Sequence, residues 1–218
     1  MNNTKLGYYR DKQIIRELEE HKVLNTYQIA CLVFDGKSSL RKAQQRLKKL
    51  SDKKKIKRIR LALDEPYIYY LHNATGQFKH LLAVNWVYVW VVKNLLSWQQ
   101  LWCWEYEPGY NSIRPDAFYG IRNIATQEIT FYFLEVDRSN NIWDKTVKYN
   151  NLYESGSYMD SYWVKHTKVF PTILCVTTSS TRLKMIQKSI KDDNLNNLKF
   201  QAMLLDDIVK PLLSVLEK

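Results

Sequence analysis

The sequence predicts an α/β (α+β) chain in two parts: a small helical module closed by a basic hairpin, then a mixed sheet flanked by helices. Three observations predict it. Positive charge is gathered into one short segment. That segment follows two short amphipathic helices, supplies a third, and runs into a pair of strands. Beyond it the pattern α-β-β-β-α-β-α-β emerges, the succession of a mixed sheet with helices packed on it. The 218 residues, 45% apolar and 13% aromatic, suffice for real cores and exclude wholesale disorder. With 6 Gly and 5 Pro the chain is neither collagen-like nor linker-like.

The formal net charge is +11, and it is not evenly spread. Residues 1–80 hold 18 Lys/Arg against 8 Asp/Glu, whereas residues 81–218 hold 15 against 14. Lys37 to Arg60 alone carries 12 cations and one acid, Asp52. Such asymmetry points to a polyanion-binding module beside a near-neutral one, with a merely solvated helix face as the bland alternative.

Apolar residues recur with a helical rhythm over Asp11–Val23, through Ile14, Ile15, Leu18 and Val23. Asn25 or Thr26 caps a second helix, Tyr27–Phe34, with Ile29, Ala30, Leu32 and Val33 inward. Asp35-Gly36 is a turn. Ser38 or Ser39 caps a third helix to about Leu50, on which Leu40, Ala43, Leu47 and Leu50 form the apolar stripe. Ile56–Leu63 and Tyr67–Leu71, around Asp64-Glu65-Pro66, read as a hairpin. Three helices and a basic hairpin are the order of a winged helix-turn-helix, whose third helix enters the major groove while the wing meets phosphates. Candidate DNA contacts are Arg41, Lys42, Gln45, Arg46, Lys48 and Lys49 on the helix. Lys54, Lys55, Lys57, Arg58 and Arg60 serve in or near the wing. Gln44 or Gln45 suits adenine edges, and RNA or a protein remains an alternative partner of the wing.

Residues 1–76 are therefore read as a DNA-binding domain and 77–218 as a second domain, with 77–97 a connecting or core helix. That helix is very apolar, which suits an interface or the second core. Strands follow at Leu101–Glu107, Ile113–Ile121 and Glu128–Asp137, the last two joined by a loop short enough for an antiparallel hairpin. Ser139 or Asn140 caps a helix from Ile142 to about Glu154. Phe170–Thr177 and Leu198–Leu205 are strands, Thr181–Lys191 is a helix, and Asp206–Leu216 is a helix kinked at Pro211.

Acids gather at the strand ends. Pro115-Asp116 sits in the second strand, Glu105 and Glu107 end the first, and Glu135 and Asp137 end the third on the face of Phe131 and Phe133. An unpaired acid on such a face is costly. Asp116, Glu135, Glu105 and Asp137 are the candidate ligands of a Mg²⁺, a hard ion preferring carboxylates. A metal there would activate water and neutralise charge at a scissile phosphate. The alternative is ordinary ion pairing with Arg114, Arg122, Arg138 or Lys148.

The Pro-Asp and Glu-x-acid pattern resembles the core of the PD-(D/E)xK, restriction-endonuclease-like nucleases. Over roughly residues 10–180 the chain more specifically resembles the replication-relaxation family of plasmid and mobile-element proteins. The resemblance rests on Ile113-Arg114-Pro115-Asp116-Ala117, on Phe133-Leu134-Glu135-Val136-Asp137-Arg138-Ser139, and on Lys145, Lys148 and Tyr149. It also rests on Gln44-Gln45-Arg46-Leu47-Lys48-Lys49-Leu50 and on Tyr70-Leu71-His72-Asn73-Ala74-Thr75-Gly76. It implies a winged helix followed by a nuclease-like domain, with Asp116 and Glu135 as metal-binding acids. An active member would carry Lys two residues after Glu135, to orient the attacking water; this chain has Asp137. Lys145 or Lys148, at i, i+3 on the next helix, would have to take that role. If the site is active, the catalytic residues are Asp116, Glu135, Lys145 and Lys148, with Mg²⁺. The missing Lys favours a catalytically silent core.

Other chemistries lack their residues. His21, His72, His80 and His166 never make the His-x-His pair of a relaxase or rolling-circle initiator, and no P-loop motif occurs. Cys31, Cys103 and Cys175 are too far apart for a disulfide framework or zinc site, which favours a reducing, cytoplasmic setting. The start of the chain lacks a signal-peptide core, and the apolar run Leu81–Val92, broken by Asn85, is too short to span a membrane. The expectation is a cytoplasmic protein binding double-stranded DNA, with no cofactor needed for that binding. It would act as an accessory or regulatory factor of plasmid replication or mobilisation. Partners would be a relaxase or replication initiator, or a second copy as a homodimer. The alternatives are a Mg²⁺-dependent endonuclease and a protein-docking or transcriptional-regulator module.

Overall fold

A computed structural model describes residues 3–72, 76–110, 113–138 and 141–216. It divides the chain into two compact units, Met1–Lys93 with Ile208–Lys218, and Asn94–Asp207.

The first helix, α1 (Asn3–His21), begins earlier than its apolar rhythm suggests. Only Ile14 and Leu18 of its early stripe are fully buried, while Tyr8 and Tyr9 stand exposed. A tertiary contact supports this first stretch: Arg46 donates to the Gly7 carbonyl at 2.9 Å. Lys22 then takes a left-handed φ of 63°, and the chain turns into β1 (Val23–Asn25). Val23, expected to end the helix, is thus a strand residue. Asn25 caps α2 (Thr26–Val33) as expected, in a reciprocal box with Gln28 at 2.9 Å each way. Gly36, at φ +75°, makes the turn that follows. Helix α3 (Ser39–Asp52) starts at Ser38, whose side chain makes no capping hydrogen bond. The backbone carbonyl of Ser38 instead accepts from Lys42 N at 3.0 Å.

The basic hairpin is β2 (Lys57–Ile59) and β3 (Ile68–Tyr70), antiparallel, with Arg58 opposite Tyr69. Strand β3 also pairs with β1, so the small sheet has the order β1-β3-β2. Ile14, Leu18, Leu24, Ile29, Leu47 and Leu50 form the core beneath it, and Leu216 from the far end of the chain packs on that core. The apolar helix α4 (Phe78–Asn94) is held to this unit by named hydrogen bonds. Asn85, which interrupts its apolar run, donates to the carbonyls of His21 and Val23 at 3.1 and 2.6 Å. Gln28 donates to Leu82 O at 2.8 Å. Two buried amides thus tie α4 to the end of α1, to β1 and to α2.

The second unit is a five-stranded mixed sheet. Its strands are β4 (Gln99–Tyr106), β5 (Ala117–Asn123), β6 (Ile129–Asp137), β7 (Thr172–Thr177) and β8 (Phe200–Leu204). They lie side by side in chain order; β4, β5 and β6 run antiparallel, and β6, β7 and β8 parallel. The parallel steps need crossovers. These are α5 (Lys145–Ser155), followed by a 3-10 turn at Tyr162–Lys165, and α6 (Ser180–Asp193). Phe118, Phe131, Phe133, Tyr149, Trp163 and Ile173 centre the core of this unit. Gly120 faces the Phe131 ring, where an added Cβ would meet it at 2.9 Å, so the bare backbone makes room for the ring. Helix α7 (Leu205–Leu216) contains Pro211 and carries Asp206 and Asp207 in its first turn. The predicted cap of α5, Ser139 or Asn140, and the Asn73-Ala74-Thr75 stretch lie outside the described residues. Asp116 sits one residue before β5, not within it.

Candidate functional site

On α3 the apolar residues at spacings of three and four point inward: Ala43, Leu47 and Leu50 are buried. The same rhythm turns Arg41, Gln45, Lys48 and Lys49 to solvent, where all four are exposed. Lys42 is half-buried and its Nζ donates to Lys37 O at 3.1 Å. Arg46 differs from its neighbours. Its guanidinium grips both carboxylate oxygens of Asp11, at 2.7 and 2.5 Å, as well as Gly7 O. This two-pronged pairing ties α3 to α1, so Arg46 is committed inside the fold.

In and before the hairpin, Lys54, Lys55, Lys57, Arg58 and Arg60 are exposed. Lys57 donates to His72 O at 3.0 Å and Arg60 to Glu65 O at 2.6 Å. The guanidiniums of Arg58 and Arg60 lie over the Tyr67 ring at 4.9 and 5.1 Å. Each of these residues is exposed, so the unit presents charge from a helix and an adjoining hairpin.

The acids at the sheet end are arranged differently. Ala117 pairs with Leu134, and Asp116 N donates to Leu134 O at 2.9 Å, which sets Asp116 level with Glu135 on neighbouring strands. The Asp116 carboxylate accepts from Val136 N at 2.6 Å. Glu135 is 3% exposed. One of its oxygens accepts from Tyr149 OH at 2.8 Å and the other lies 2.8 Å from Lys145 Nζ. Burial pushes the Glu135 carboxyl up to about 7; Lys145 offsets part of that and the Asp116 charge adds to it. Burial, with Glu135 beside it, also holds the Tyr149 phenol well above its usual range, so Tyr149 stays a donor.

Lys145, but not Lys148, meets Glu135. Lys148 pairs instead with Asp144, the residue just before its own helix, at 2.6 Å. Asp137, at the position where a water-orienting Lys would stand, is clasped by the Arg182 guanidinium of α6, both side chains under a tenth exposed. Glu105 accepts from Tyr162 OH on the 3-10 turn, and Glu107 pairs with Arg114 at 3.0 Å. Sequence reasoning did not find Arg182 or Tyr162. Neither carries a local signal; each meets its acid only through the crossover chain path.

The candidate Mg²⁺ ligands do not fit a metal as they are arranged. Both Glu135 oxygens have cationic or phenolic donors, Asp137 is ion-paired, and Glu105 is held by Tyr162. Among the described residues, no three of Glu105, Asp116, Glu135 and Asp137 bring ligand atoms within 4.8 Å of one another. The group that does so is Glu17, Glu20 and His21 on α1, where His21 and Glu17 already pair at 3.4 Å.

Comparison with known proteins agrees with the N-terminal part of the resemblance read from the residues. The replication-relaxation family model matches residues 15–78, from the last part of α1 through the hairpin to the first residue of α4. No curated protein and no solved structure matches the chain. Among the described residues, no helix is long and apolar enough to cross a membrane.

Proposed function

We propose that the chain is a duplex-DNA-binding accessory or regulatory protein of plasmid or mobile-element replication or mobilisation. Its second unit would be a nuclease-like scaffold that does not cut. The observation that carries the binding half is the exposed cation array of α3 and the hairpin. Arg41, Lys48, Lys49, Lys54, Lys55 and Arg58 all face solvent, within a segment whose one acid is Asp52. Cations on a rigid surface gain affinity by releasing condensed counterions from DNA. The helical stripe leaves Gln45 exposed on the same helix, suited to base edges. The match over residues 15–78 supports the replication context. A gel-shift salt series tests this half. Affinity for duplex DNA should fall steeply between low and moderate salt; flat affinity, or no binding, refutes it.

The non-cutting half is supported by Arg182 on Asp137. A buried guanidinium occupies the acid that replaces the expected Lys, and Glu135 is closed off by Tyr149 and Lys145. The sheet order and the succession β4-β5-β6-α5-β7 support the nuclease-like reading of the scaffold. One observation favours an active enzyme instead: Lys145 brings an amine to Glu135 from the next helix. Incubation of duplex, nicked and branched DNA with Mg²⁺ or Mn²⁺ decides between them. Cutting that is lost in Asp116→Ala and Glu135→Ala would replace the silent reading.

A further inference from the structure

A cleft of about 350 Å³ opens in the first unit beside the cation array, between α2, α3 and the hairpin. Its lining brings three kinds of group together. Lys48, Arg58 and Arg60 supply positive charge; Tyr27, Tyr67 and Tyr69 supply rings; Gln44, Asp64 and Glu65 supply amide and carboxylate groups. Among the described residues, neither Lys48 nor Arg58 makes an ion pair, so their charge is uncommitted. Tyr67 is 37% exposed and is flanked by the two guanidiniums.

Each group suits one part of a nucleotide. The cations suit a phosphate. Tyrosine rings and guanidinium planes are stacking platforms for any base. An amide and a carboxylate suit the amino and ring-nitrogen edges of a base. Asp64 decides against a bare phosphate site, since it would repel an anion that offered no donors; the Glu65 carboxylate is already paired with Lys79 at 3.7 Å. Concavity decides against an ordinary groove contact, because the bases of an intact duplex are stacked away from a cleft of this size.

We propose that this cleft binds a single unpaired nucleotide, its phosphate on Lys48 and its base stacked on Tyr27 and on the Arg58 and Arg60 guanidiniums that the Tyr67 ring holds. The nucleotide arrives either free or as an extruded residue of DNA bound to the same unit. The second source rests on the duplex-binding reading; the first does not.

The test uses the full chain and 2-aminopurine as the base. One arm titrates free 2-aminopurine deoxyriboside 5′-monophosphate and follows its fluorescence. The other compares, by anisotropy, a perfect duplex with the same duplex carrying a single 2-aminopurine bulge. For the DNA source, the bulged duplex binds about tenfold tighter than the perfect one, from the stacking of one base. That preference is lost in Tyr67→Ala and kept in Tyr67→Phe, while perfect-duplex affinity is unchanged. For the free source, the monophosphate binds saturably and competes with the bulge. Equal affinity for both duplexes, together with no binding of the monophosphate, overturns the cleft and leaves duplex binding standing. No binding to either duplex, with the monophosphate still bound through Tyr67, overturns the duplex reading and leaves the cleft. Because the wild-type comparison alone decides the point, a Tyr67→Ala chain that failed to fold would not rescue the proposal.

Discussion

Asp137 and Glu135 lie two residues apart on one strand, and each meets a cation, Arg182 and Lys145, in a different setting. Asp137 receives a full cation in a nearly dry setting. Removing one partner of such a pair leaves an uncompensated buried charge, whereas replacing both with apolar groups does not. Arg182→Met should therefore destabilise the protein by about 3 kcal/mol or more in urea unfolding. Adding Asp137→Leu should restore most of that loss. Glu135 sits deeper, and its carboxyl is raised to about 7. A raised carboxyl binds its proton more tightly in the folded than in the unfolded chain. Its stabilising contribution is therefore full below the ordinary value of 4.5 and is lost as pH rises through about 7. Glu135→Gln removes that dependence. Thermal unfolding should show the variant gaining on the wild type between pH 4.5 and 8, by up to about 3 kcal/mol. No gain across that range would mean that Lys145 holds the carboxylate charged throughout.

At the level of elements, α3 shows how one periodic stripe separates two jobs. Ala43, Leu47 and Leu50 hold the helix down, and the residues between them face outward. Yet Arg46, which the pattern groups with the outward cations, turns back to Asp11. The two classes should respond differently to substitution. Lys48→Ala and Lys49→Ala should each weaken duplex binding and lower the salt slope by about one, with little change in stability. Arg46→Ala should instead lower the thermal midpoint, costing about 1–2 kcal/mol for its charge-assisted hydrogen bonds. A slope change for Arg46→Ala equal to that for Lys48→Ala would place Arg46 on the DNA after all. The hairpin makes a similar point. Its strands are legible in Ile56–Leu63 and Tyr67–Leu71, but β1 is not, because three residues after a helix carry no alternation to read. Only the left-handed turn at Lys22 and the ladder to β3 make Val23–Asn25 a strand.

For the whole molecule, the chain ends matter more than its linear order suggests. Ile208–Lys218 groups with the first unit, and Leu216 packs on the core built from Ile14, Leu18 and Leu47. Truncation after Asp207 should therefore loosen α1 to α3, at the opposite end of the sequence. Hydrogen exchange would show faster exchange in those amides; unchanged protection there would count against the grouping. Helix α4 joins the same unit through Asn85 and Gln28, whereas its apolar composition suggested an interface or the second core.

Local periodicity and charge by themselves determined the helices of both units, the five strands of the larger sheet and the segment that holds the positive charge. These depend on residues three, four or two apart, which the chain order displays directly. The carboxylates were visible too, and so were Lys145 and Lys148 as the two amines able to reach Glu135; the structure chose Lys145. What the tertiary structure alone decided is which cation each acid receives. Arg182 lies 45 residues from Asp137 and Tyr162 lies 57 from Glu105. Such pairs are fixed by crossover connections that bring distant helices over a strand end. No spacing rule covers them, since partners so far apart are chosen by packing and by the cost of leaving a buried charge alone.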